Sequence, residues 1–102
     1  MTGIHVKHWI EGGRRVLRVL GTFDGEAARD LLHRIRSEPE RDLVIDVALV
    51  RDFDEVGVAA LARLVEGSKD YRIALRGLSA HQMRILRYLG TGLSTVGAEA
   101  GP

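Results

Sequence analysis

Polar and apolar residues alternate at the start of the chain. Ile4, Val6 and His8 take every second position, and Val16 to Leu20 is rich in β-branched and apolar residues. Glu11-Gly12-Gly13 between these runs is a turn signal, so the first third predicts a β-hairpin. From Gly21 to Gly25 the period changes. Ala28, Leu31, Leu32 and Ile35 recur at i, i+3, i+4 and i+7, which is one buried helical stripe, with Arg29, Arg34 and Arg36 facing water. Asp24 is placed to accept hydrogen bonds from the first helical amides, and Glu26 complements the positive end of the helix dipole. Ser37-Glu38-Pro39-Glu40 ends this helix, because the residue before proline resists helical geometry.

A near-continuous apolar run follows, Leu43-Val44-Ile45 then Val47 to Val50, broken only by Asp46. Strands covered on both faces have this character, which predicts an interior, parallel strand. Asp46 within it is expected to cap a neighbouring turn or pair with an arginine. After the loop Arg51-Asp52-Phe53-Asp54-Glu55, a second helix starts with Asp54 as cap and a Phe53–Val58 hydrophobic staple. Val58, Leu61, Ala62 and Val65 are its buried stripe, and Gly67 its C-terminal cap. Arg72 to Arg76 is a further strand. Ser79 and Gln82 have capping-box spacing, Leu78 and Met83 form another staple, and Ile85, Leu86 and Leu89 then face the core, with Gly90 ending that helix. Leu93 to Val96 is expected as a short last strand, within a domain over 1–96. Gly97 to Pro102 has the composition of a flexible tail. The order β-β-α-β-α-β-α, with a final β, implies an α/β domain with right-handed crossovers.

Composition narrows the function classes. The 102 residues suit one domain. No apolar run approaches the roughly 20 residues of a spanning helix, and the first residues lack the basic-then-apolar pattern of a signal peptide. The chain is therefore expected not to be membrane-embedded. There is no cysteine, which removes disulfides and thiol chemistry and fits a cytoplasmic location. Fifteen Lys and Arg against fourteen Asp and Glu leave a formal charge of +1, and aromatics are 5%, so no nucleic-acid partner is expected. Arg14, Arg15 and Arg18 read as a solvated surface. His5 and His8 point to opposite strand faces, and His33 and His81 lie on helix surfaces. Without a ligand cluster, no metal and no cofactor are expected. Gly12-Gly13 is a turn rather than a phosphate loop, since no Lys-Ser/Thr follows.

The segment from Val44 to Leu61 resembles the central signature of STAS domains (sulphate transporter and anti-sigma-factor antagonist). That signature is an apolar strand ending in Asp or Asn, a fixed-length bridge, then Asp-Ser-Ser-Gly-Leu opening a helix. Asp54 matches the family Asp, Gly57 the Gly, and Val58 the apolar residue after it. Leu20-Gly21-Thr22-Phe23-Asp24 resembles the family's Gly-x-Leu-Asp, and Ile73 to Ser79 with Ile85-Leu86 and Leu89-Gly90 resembles its final strand and helix. The resemblance runs from Ile4 to Val96. It implies a STAS-like fold with a mixed four- to five-stranded sheet, an N-terminal hairpin followed by βα units, and helices packed against the sheet. It also implies a partner-binding surface at Asp24, Arg51, Phe53, Asp54, Glu55, Val56, Gly57 and Val58. In the family's phosphorylated antagonists the second Ser accepts phosphate from a partner kinase. Here that position is Val56, which has no hydroxyl, and Glu55 stands one residue before it.

The resemblance implies a non-catalytic regulatory module like an anti-sigma factor antagonist, acting in partner-switching signalling without the usual acceptor. The implied partners are a histidine-kinase-like anti-sigma ATPase or other STAS proteins, with homo-oligomers left open. An alternative within the family is a subunit that docks on the ATPase of a lipid-exporting ABC transporter. A remote alternative is a small phosphatase using Asp52 and Asp54 after an apolar strand, with magnesium. The chain is short for such an enzyme, and Arg76-Gly77-Leu78 does not supply the further acids and lysine it needs.

Overall fold

The computed structural model describes residues 5–89 and 97–99. Strands β1 (His5–Glu11) and β2 (Arg14–Thr22) form the expected hairpin, with Glu11 opposite Arg14. Gly12 and Gly13 between them both have positive φ, 59° and 81°, so the two-residue turn selects glycine at both positions. Helix α1 (Gly25–Ser37) leads to β3 (Asp42–Asp52), helix α2 (Glu55–Glu66) to β4 (Arg72–Arg76), and α3 (Ala80–Leu89) precedes β5 (Gly97–Glu99). The sheet has the order β1-β2-β3-β4-β5, antiparallel at the hairpin and parallel from β2 onward. It is the mixed α/β sheet expected, with β3 interior and parallel to both neighbours.

Two expectations fall at the C-terminal end. Gly90 and the strand expected over Leu93 to Val96 lie outside the described residues. Gly97–Glu99, assigned from composition to the tail, instead pair in parallel with Ala74–Arg76. Ladder pairing uses backbone groups only, so a glycine- and alanine-rich composition does not preclude it.

The three helices cover one face of the sheet. Leu17, Val19, Leu43, Ile45, Val47, Ile73 and Leu75 point into a core shared with Leu31 and Ile35 of α1, Leu61 and Val65 of α2, and Leu86 of α3. Within α1, Ala27 joins the buried stripe and Leu32 is only half-buried. The caps form as expected. Asp24 accepts from the Ala27 amide at 2.9 Å, and Ser79 and Gln82 bond each other's backbone reciprocally at 2.8 and 3.1 Å.

Alternate residues of the same strands point to the other face. Val16 and Val44, adjacent in register, are fully buried there, with Trp9 directly opposite Val16. Arg18 and Asp46 are register partners on this face. Asp46 is fully buried and accepts from Arg18 Nε at 3.1 Å and Nη2 at 2.8 Å, while Trp9 stacks on the Arg18 guanidinium at 5.0 Å. The other Asp46 oxygen accepts from the Ala48 amide at 2.9 Å. One extra β3 residue lies between the pairs Arg18–Asp46 and Leu20–Leu49, so Asp46 holds the amide inside a β-bulge. Both sequence expectations for Asp46, turn cap and arginine partner, are met by one carboxylate. Gly77, at φ 90°, backs onto the bulge: a Cβ there would lie 2.5 Å from the Ala48 nitrogen. Arg76 reaches from β4 to Glu11 on β1 at 2.7 Å. That hydrogen bond, then one from the Trp9 indole, holds the Glu11 carboxyl below the ordinary glutamate range.

Candidate functional site

The C-terminal ends of β2 and β3 carry two helix starts side by side. The Phe23 amide donates to the Asp52 carbonyl at 3.0 Å, and the Thr22 hydroxyl donates to the Asp52 carboxylate at 3.1 Å. Phe23 and Phe53 pack edge to face with ring centroids 5.5 Å apart. Asp24 caps α1. Asp54 caps α2, accepting from the Gly57 amide at 3.0 Å. Gly57 is required by this junction, because a Cβ there would collide with the Phe23 carbonyl oxygen and lie 3.0 Å from the Phe53 ring.

The residues singled out from the sequence separate by depth. Asp24, Arg51, Asp54, Glu55 and Val56 are exposed, and Val56 reaches 69% exposure although it is apolar. Phe53 is half-buried against the core. Gly57 and Val58 are buried, Val58 completely. Val58 is four residues into α2 and helical periodicity turns it inward, where it anchors the helix start. Asp52 and Asp54, the pair of the phosphatase reading, both accept structural hydrogen bonds, one tying two loops and the other capping a helix.

One part of the surface escaped sequence reasoning. An open groove of about 720 Å³ runs between α2 and α3. Glu55 and Ala59 line one wall, and Arg84, Ile85 and Tyr88 the other, with His81 and Arg87 alongside. Tyr88 is 91% exposed. The available signal was the makeup of α3, which has two arginines, a histidine and no acid over Ala80–Leu89. No helix among the described residues is long and apolar enough to cross a membrane. Among them, no group of three or more His, Cys, Asp or Glu has the arrangement of a metal site.

Comparison with known proteins agrees with this geometry. A family model described as "Mlab, STAS domain" matches residues 9–93. A search of curated proteins finds no match. Among solved structures, a serine-to-glutamate variant of RsbS from Moorella thermoacetica superposes with a TM-score of 0.69 at 20% identity, over 95% of this chain and 87% of that one. At that identity the likeness establishes a shared fold.

Proposed function

The chain belongs to the STAS family, and on that premise we propose that it is a non-catalytic regulatory module that binds a partner protein, in the manner of an anti-sigma factor antagonist. The exposed contact set is Asp24, Arg51, Asp54, Glu55 and Val56, with Phe53, Gly57 and Val58 shaping it from beneath. The observation that carries this reading is Val56: a large apolar side chain, 69% exposed, at the start of a capped helix on a rigid sheet. Exposed apolar residues beside fixed charges suit a protein interface.

Valine has no hydroxyl, so this surface engages its partner without phosphoryl transfer at position 56. Glu55 supplies a standing negative charge in the first turn of α2, where the helix dipole favours it by roughly 0.3–1 kcal/mol. The partner is a histidine-kinase-like ATPase or another STAS protein, met in the cytoplasm. A second reading is a subunit docked on the ATPase of a lipid-exporting transporter. It is favoured by the missing acceptor hydroxyl, which leaves docking without a covalent switch. It is also favoured by the description of the matching family model, which names an Mlab STAS domain and not an antagonist.

The test is affinity capture from native extract with the tagged chain, partner identification by mass spectrometry, and affinity measurement with Glu55→Arg and Val56→Asp variants. Recovery of a histidine-kinase-like ATPase, bound more weakly by both variants, supports the antagonist reading. Recovery of a transporter ATPase replaces it with the second. Unchanged affinity for both variants moves the interface off this surface.

A further inference from the structure

We propose that the groove between α2 and α3 receives an acidic amphipathic helix of the partner protein. The arginines of α3 pair with its acids, and Ala59, Ile85 and Tyr88 take its apolar stripe. This inference rests on the protein-binding reading and adds the partner's chemistry and a second wall to its surface.

Charge is the first argument. Arg15, Arg18, Arg72 and Arg76 all form ion pairs with carboxylates of the chain. Arg84 and Arg87 form none among the described residues, and neither do Arg29, Arg34, Arg36, Arg41, Arg51 and Arg63. Arg84 and Arg87 stand on a helix without acids, on the wall facing Ala59. Unpaired arginines beside apolar surface are enriched where proteins meet, since the planar guanidinium loses hydration easily and binds carboxylates in bidentate fashion.

Apolar exposure is the second. Tyr88 and Val56 are the most exposed large hydrophobic residues described, at 91% and 69%. Tyr88 lines the groove, and Val56 follows Glu55, which lines the opposite wall. A ten-residue α3 gives the groove a length of about 15 Å, room for nearly three turns of a third helix.

Other occupants fit less well. A second copy presenting this face about a two-fold axis could offer the two arginines only one acid of the groove lining, Glu55. Helix α1 of a second copy brings Arg29, Arg34 and Arg36 against only Glu26 and Asp30. Nucleic acid and anionic membranes call for a broader positive field than a chain of net charge +1 with Glu55 in the groove wall provides.

The probe is a pair of synthetic amphipathic helical peptides sharing one leucine stripe, one with glutamates and the other with lysines flanking it. Each is titrated into the isotopically labelled full chain and followed by amide chemical shifts. The glutamate peptide is expected to shift Ala59, Arg84, Ile85 and Tyr88, and to bind at least about tenfold more tightly than the lysine peptide. The double variant Arg84→Glu/Arg87→Glu, folded by circular dichroism, should reverse that preference, and Tyr88→Ala should weaken both peptides. Equal binding of the two peptides, or shifts confined to other surfaces, overturns the proposal. Tighter binding of duplex DNA or phosphatidylglycerol vesicles at the same residues, or self-association through them, also overturns it. Suppose the native partner captured by the wild-type chain binds the Arg84→Glu/Arg87→Glu variant unchanged. The groove assignment then fails and the protein-binding reading stands. If the wild-type chain captures no partner, that reading fails, while the peptide titration still decides the groove.

Discussion

Replacing Asp46 with alanine should cost this domain a large share of its stability. The carboxylate is fully buried and accepts three hydrogen bonds, two from Arg18 and one from the Ala48 amide. Truncating one member of a buried ion pair costs about 3–5 kcal/mol when the other charge stays buried. The Arg18 side chain is 34% exposed, so water can re-solvate part of it and the cost falls towards the lower end or below. The orphaned Ala48 amide adds about 1–3 kcal/mol if it stays dry. The bulge can relax to share these losses, so the sum is about 2–4 kcal/mol, against a total of about 5–15 kcal/mol for a domain this long. At roughly 4 °C per kcal/mol the melting temperature should drop by about 8–16 °C. Asp46→Asn keeps an oxygen for Ala48 but sets an amide NH2 against the Arg18 donors, so it should spare only the Ala48 share of the loss. Urea unfolding followed by fluorescence measures both, because Trp9 is the only tryptophan and stacks on Arg18 at 5.0 Å. A loss below about 1 kcal/mol for Asp46→Ala, or equal losses for Ala and Asn, would refute the reasoning.

Three other measurements follow from the same contacts. Gly77→Ala puts a methyl group 2.5–2.7 Å from three Ala48 atoms at a positive φ, and should destabilise by about 2 kcal/mol or more in a thermal melt, whereas Gly25→Ala, with open space around it, should stay within about 1 kcal/mol. Asp24→Ala and Asp54→Ala each remove an N-cap and should each cost about 1 kcal/mol in denaturant unfolding, with no loss of sheet signal. The folded Glu11 carboxyl titrates below its ordinary value of 4.5 because Arg76 and Trp9 bond its charged form. Its stabilisation is therefore present above the unfolded value and lost as pH falls through the folded one. Carboxyl NMR should show the low midpoint, and Glu11→Gln should flatten the stability curve in that acid window.

What was legible in the sequence is what is local. The hairpin turn needs two glycines in a row, and Gly12-Gly13 supplies them. The caps at Asp24, Asp54 and Ser79 act over three residues, so their spacing is visible along the chain. The uncovered sheet face was not legible, because its contacts join distant residues. Arg18 meets Asp46 across 28 positions and Arg76 meets Glu11 across 65. The bulge at Ala48 appears only once strand register is known. At the candidate site, the motif pointed to the loop between β3 and α2 but not to the depth of its residues. Spacing alone could show that Val58 turns inward, and the family match drew attention to it as a contact instead. The groove went unseen because a surface between two helices depends on how they pack, and the basic, acid-free makeup of α3 does not say which helix it lies beside.

The strand order has a kinetic consequence. Each strand lies beside its predecessor in the chain, from β1 to β5. A nascent chain can therefore close its hairpin first and add each βα unit to an existing edge, with short loop closures throughout. The Glu11–Arg76 bond breaks that locality, tying the first strand to the fourth. It can form only after β4 has docked, so it acts as a late latch. Its loss should speed unfolding and leave the refolding rate unchanged.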